Sequence, residues 1–341
     1  MSEETTHREV EETGSEREGK ASRSFPARAG GIAVVVALLL LAGIPVSGST
    51  YLIGVFTEIM ILATFALSLG FLMGYPKLIS LGHAAFFGGG AYAAGIVAVR
   101  LEVANILATL AAALVVSTLL ALVIGLLSLR NTGIYFLMIT LALAQMVFIV
   151  AQQWNSVTGG TDGLYGIPYP TLFGVIEFDR TTFYYLALVL AAGSYFILRL
   201  VVGSPFGQVL RGIGANEQRI RAIGYNARVY KLAAFVISGA VAGVAGGLWG
   251  HHTGLVAPVD ANWTLSATAL IMVIVGGSGT LIGPMLGAAL VWFLDTGLGS
   301  YTERSTMIMG AIFILFVFFA RDGIVGIARS VWERIYGRSG T

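Results

Sequence analysis

From residue 29 onward, long apolar runs alternate with short polar joints. The runs are Ala29–Val46, Leu52–Met73, Leu81–Val99, Ala104–Leu129, Gly133–Gln152, Phe183–Val202, Lys231–Gly250, Thr264–Ile282, Pro284–Gly299 and Thr306–Ala320. A bilayer demands about 20 apolar residues per helical crossing, so the pattern predicts about ten transmembrane or partly broken helices. The third, eighth and ninth runs are the least regular and read as partial or broken helices. One long polar interruption, Gly203–Tyr230, divides the array into two halves and carries Arg211, Arg219, Arg221 and Arg228 with a single acid, Glu217. Within it, Ile213, Ile220 and Ile223 are spaced for one helical face, and Gly224 supplies a helix stop. The stretch therefore reads either as a short amphipathic helix offered to a soluble partner or as an arginine-rich loop that only fixes topology.

Composition fixes the class. The chain is 56% hydrophobic and only 11% charged, with a mean hydropathy of +0.83, whereas a soluble domain is about a quarter charged. The fold class expected is an all-α polytopic membrane protein, with a polar tail over residues 1–28, a transmembrane domain over 29–320 and a second tail over 321–341. With no cysteine, disulfides, thiol redox chemistry and cysteine-ligated metal are excluded. No metal site and no nucleic-acid partner are expected. The first tail holds seven acids and five Lys or Arg and lacks apolar periodicity, so it is expected to be disordered. Gly14, Gly19 and Lys20 mimic a phosphate loop, but Ala21 follows and no strand precedes, so the chain itself is not expected to bind ATP. The first apolar run is not expected to be a signal peptide, because its leader is too long and too acidic.

Charge placement sets the orientation. With the amino terminus inside, seventeen of the twenty Lys and Arg residues fall on the cytoplasmic side and only Arg100, Arg180 and Arg304 fall outside. That asymmetry predicts that both termini and the Gly203–Tyr230 loop are cytoplasmic.

Two glycine-rich stretches, Ser80–Gly95 and Val275–Leu290, fall in opposite halves. Paired interrupted spans of this kind point to a transport path, or to tight helix packing by small residues. Candidate path residues are Ser80, His83, Gly88, Gly89, Gly90, Gly276, Gly277, Ser278 and Gly279, with Glu58 as an ionisable group at depth. Ser80 reads as the N-cap of the span that His83 opens. Asp295 lies near the outer end of its span. No relay of acids crosses the membrane, which weighs against an ion-coupled carrier. The outer loop Trp154–Thr182 carries TGGTDGL, in which Thr158, Gly159, Gly160 and Asp162 are the candidate external-site residues. The run Gly276–Gly279 also resembles the serine motif of rhomboid proteases, yet the last histidines, His251 and His252, precede Ser278 instead of following it.

Taken together, SLGHAAFFGGGAY, TGGTDGL, LRGIGANEQRIRAIGYN, MVIVGGSGTLIGPMLGAAL and FFARDGIVGIAR resemble the LivM-type permease subunit of branched-chain amino acid ABC importers, over about Leu52–Arg329. The resemblance implies a non-enzymatic permease of the inner membrane. Its partners would be a LivH-like permease, two cytoplasmic ATPases that use ATP and magnesium, and a periplasmic binding protein. No cofactor would be bound by this chain. It further implies that the central loop is a coupling helix gripped by an ATPase, through Arg211, Gly214, Asn216, Glu217, Arg221, Ala222 and Gly224. Relatives in this family carry urea, short amides or aromatic acids as well as branched-chain amino acids.

Overall fold

The computed structural model describes residues 37–172 and 176–299, together with isolated positions between 307 and 326. The first tail, most of the second and most of the tenth predicted span lie outside the described residues. The chain divides into two units between residues 41 and 42, and of the first only residues 37–41 are described. A short apolar helix, Ala37–Val46, stands where the first run was expected.

The second unit is a helix bundle. Its helices are α1 (Thr50–Gly74), α2 (His83–Arg100), α3 (Ile106–Ser128), α4 (Ile134–Gln153), α5 (Arg180–Gly203), α6 (Pro205–Ala215), α7 (Glu217–Ala222), α8 (Ala227–Thr253), α9 (Trp263–Gly276) and α10 (Ile282–Gly299). Five of them, α1, α3, α4, α5 and α8, are long and apolar enough to cross a membrane. The sheet content is two small antiparallel ladders, Leu164–Tyr165 with Leu255–Val256 and Thr171–Leu172 with Ile176–Glu177.

Small residues let α8 sink into the bundle. A side chain at Gly90 would collide with the backbone of Gly243, and one at Gly246 with the carbonyl of Phe87. Such absences are what permit helix axes to approach closely where lipid offers no hydrophobic drive for association. The centre is aromatic as well: His83, Phe86, Phe136 and Phe235 meet edge to face, a preferred arrangement of ring quadrupoles. In contrast, α3 and α4 leave most of their apolar surface uncovered, as lipid-facing or partner-facing helices must.

Three expectations are corrected here. The Ser80–Gly95 stretch is not broken at its glycines, because α2 runs without interruption from His83 to Arg100. The N-cap of α2 is Gly82, not Ser80; the Ser80 hydroxyl accepts from the Gly82 amide at 3.1 Å. The polar interruption Gly203–Tyr230 is two helices, not one, because Asn216 adopts an extended conformation (φ −159°, ψ 99°) and caps the second by accepting from the Arg219 amide. That break rotates the isoleucines apart: Ile213 is buried while Ile223 is 64% exposed.

Candidate functional site

The C-terminal end of α1 gathers three of the predicted site groups. The first is the interruption itself. The guanidinium of Arg211 sits over the Tyr75 ring, 5.5 Å from its centre, and donates to the Val202 carbonyl at 2.8 Å. Gly214 lies so close to the Tyr75 carbonyl that no side chain could stand there. Thus α6 rests directly on the turn that joins α1 to α2. The second helix is stapled elsewhere: Glu217 bridges Arg221, one turn on, and Lys231 at the foot of α8. Burial opposes the charged carboxylate of Glu217, but the hydrogen bonds and charges of Lys231 and Arg221 outweigh it and hold the carboxyl below its usual range. Lys231 is buried, so Glu217 is what makes its charge tolerable there. Ala222 ends α7, and Gly224 (φ +93°) lets the chain turn off, its amide reaching the Arg221 carbonyl.

The second group is Ser80–His83. The turn Tyr75–Gly82 leads back into the bundle, with Ser80 and His83 fully buried. His83 Nε2 donates to the Ser238 hydroxyl oxygen at 2.7 Å, and Ser238 in turn donates to the Ser68 carbonyl at 2.6 Å. Ser68 lies six residues before the end of α1, about 9 Å inside it at 1.5 Å per residue. The N-terminus of α2 therefore starts inside the bundle, and its free amides need partners there. They find hydroxyls from other helices: Ser266 accepts from the Ala84 amide at 2.7 Å and Thr140 from the Leu81 amide at 3.3 Å.

The third group is Gly276–Gly279, where α9 and α10 are truly separated. Gly277 takes a positive φ of +100°, and the two helices touch backbone to backbone at Gly276 and Gly283. This turn also abuts α1, with the Ser278 carbonyl against Gly74 and Pro284 against Gly70. Both glycine-rich stretches and α6 thus converge on residues 68–75 of one helix.

Other predicted residues lie elsewhere. Gly88, Gly89 and Gly90 face Ala261, Leu120 and Gly243 respectively, each at packing distance. Glu58 sits near the opposite end of α1, between Val55 and Ile59, which pack in one cluster with Trp292. In the outer loop, the Thr158 hydroxyl bonds the carbonyls of Ala151 and Trp154, and Gly159 and Gly160 both take positive φ. Asp162 is exposed. The loop is tied down by Arg100, which donates to the Ser156 carbonyl, and by His251, which donates from Nδ1 to the Pro168 carbonyl at 2.9 Å. His83 and His251 are thus both engaged away from Ser278.

Sequence reasoning missed a re-entrant segment. The chain leaves α8 at Gly254, pairs along Leu255–Val256, and then places Ala261 against Gly88, five residues into α2. With only 14 residues, α9 spans about 21 Å and begins within the bundle, where Ser266 meets the start of α2. The signals were Pro258 and Asp260 in GLVAPVDAN, which interrupt the apolar pattern without saying how deep the interruption sits.

The family model described as branched-chain amino acid transport system / permease component matches residues 51–317. The LivM permease protein of the high-affinity branched-chain amino acid transport system of Escherichia coli K12 is 29% identical, over 86% of this chain and 75% of its own length. Its Salmonella typhimurium counterpart is 28% identical over the same shares. A ribose import permease protein, RbsC of Haemophilus influenzae, is 24% identical over 66% of this chain and 71% of its own. No solved structure matches the chain.

Proposed function

Because the chain belongs to the family of permease components of branched-chain amino acid transport systems, and is a multi-pass protein of the inner membrane, we propose that it forms one half of an ATP-driven importer's path. The solute carried is a branched-chain amino acid or a close relative. ATP hydrolysis takes place in separate cytoplasmic subunits, a LivH-like permease completes the path, and a periplasmic binding protein delivers the solute.

The observation that carries this reading is the seat of α6 on the Tyr75 turn. A push on α6 from a cytoplasmic ATPase is delivered, through Arg211 and the Gly214 backbone, to the link between α1 and α2. The Glu217–Lys231 pair delivers the same push to α8. Interfaces this closely packed respond by rigid-body shifts rather than by continuous deformation. The path therefore alternates its access as the ATPases close on ATP and reopen after hydrolysis.

The test uses the reconstituted assembly of both permeases, both ATPases and the binding protein. Replacing Gly214 by Val lifts α6 from the turn. Import and ATPase stimulation by loaded binding protein are both expected to fall at least tenfold, with insertion intact. The native chain lacks cysteine, so Arg219→Cys gives a single labelling site, expected to react only from the cytoplasmic side. Solute movement by this chain alone, undiminished coupling in the Gly214 variant, or labelling from outside would each overturn the reading.

A further inference from the structure

The re-entrant segment brings polar groups that the path residues above do not include to one level of the bundle. Tyr92 lies four residues beyond Gly88, on the same face of α2, and Gly88 is where Ala261 packs. Tyr92 is 94% buried and its hydroxyl has no hydrogen-bond partner. Asp260 is anchored at both oxygens: one accepts from the Trp249 indole at 3.2 Å, the other from the Ala257 amide at 2.9 Å. Each oxygen retains a further lone pair.

Gln145 joins them by register. Helices α2 and α4 run in the same direction, since they meet at Leu81 and Thr140 near their starts and Arg100 at the end of α2 reaches Ser156 just past the end of α4. By that register Gln145, five residues along α4, stands near the level of Phe87–Gly88, and α4 also packs on the Pro258–Ala261 turn. Its Oε1 is buried and also lacks a partner. Among the described residues the buried side-chain atoms left unpaired are His83 Nδ1, Tyr92 OH and Gln145 Oε1. Buried polar atoms are seldom left unpaired without a use, and polar groups at membrane depth mark solute pathways.

We infer that Tyr92, Gln145 and Asp260 form a station for the head group of a zwitterionic amino acid on its way through the membrane. The unpaired phenol donates to the solute carboxylate. The Gln145 carbonyl oxygen and the Asp260 carboxylate accept from its ammonium group. The solute's apolar side chain is left to the aliphatic and aromatic walls, so the station selects the head group and not the side chain. This deepens the function proposed above and rests on it.

The decisive variant is Tyr92→Phe in the complete reconstituted assembly with leucine as solute. It removes one unpaired hydroxyl, so a merely structural role predicts unchanged import and equal or higher thermal stability. The station predicts import reduced at least tenfold with the melting temperature equal or higher. Gln145→Leu is expected to behave alike, and Asp260→Asn to lose import even where folding is kept. Should native protein import leucine and Tyr92→Phe do so equally well, the station is refuted and the importer reading stands. Should the native assembly import a neutral pentose on ATP and no zwitterion, both the substrate assignment and the station are refuted.

Discussion

The two glycine-rich stretches have similar composition and opposite fates. In Ser80–Gly95 three consecutive glycines lie inside an unbroken helix, and their missing side chains make room for Ala261, Leu120 and the α8 backbone. In Val275–Leu290 the glycines end one helix and begin another, with Gly277 in a conformation that a side chain resists. Glycine weakens a helix by about 1 kcal/mol relative to alanine, which tertiary packing easily offsets. What separates the two is whether a neighbour needs the space or the backbone needs the torsion.

That contrast makes graded predictions. Gly90→Leu should be the most damaging, since the Gly243 backbone cannot retreat; overpacking costs about 1–3 kcal/mol, and the upper end is expected as lost thermal stability of the purified protein. Gly277→Ala should cost about 1–2 kcal/mol from its left-handed backbone alone, read by the same melting experiment. Gly279→Ala should stabilise by about 0.4–1 kcal/mol, because its φ is not positive and nothing lies within 4 Å of a new methyl group. The smallest net change is expected for Gly89→Ala, within ~0.5 kcal/mol, where improved helix propensity opposes a shift of the Leu120 side chain. Reversal of the first and last would show that α2 is held by torsional demands and not by contact.

Much of the fold could be read from hydropathy because a bilayer forces apolar runs into helices. Ala104–Leu129 became Ile106–Ser128, and Gly133–Gln152 became Ile134–Gln153. The break at Asn216 has a cue of its own, since asparagine before glutamate is a helix start, whereas the isoleucine spacing points to a single helix. Depth was not legible. Tyr92 and Gln145 sit in ordinary apolar runs, and Asp260 in what reads as an outer loop. Only the three-dimensional return of that loop to Gly88 brings them to one level. Nor could spacing reveal that Gly214 approaches Tyr75, because that contact depends on how α6 leaves α5.

The ladder between Leu164–Tyr165 and Leu255–Val256 has a mechanical corollary. It fastens the connection after α4 to the connection after α8, reinforced by the ring of His251 against Pro168. Prising these two connections apart at the outer lip would tear main-chain bonds that have no water to replace them where they are buried. Within this subunit the two connections are held as one piece, and relative motion of α4 and α8 is expected to be smallest at this end.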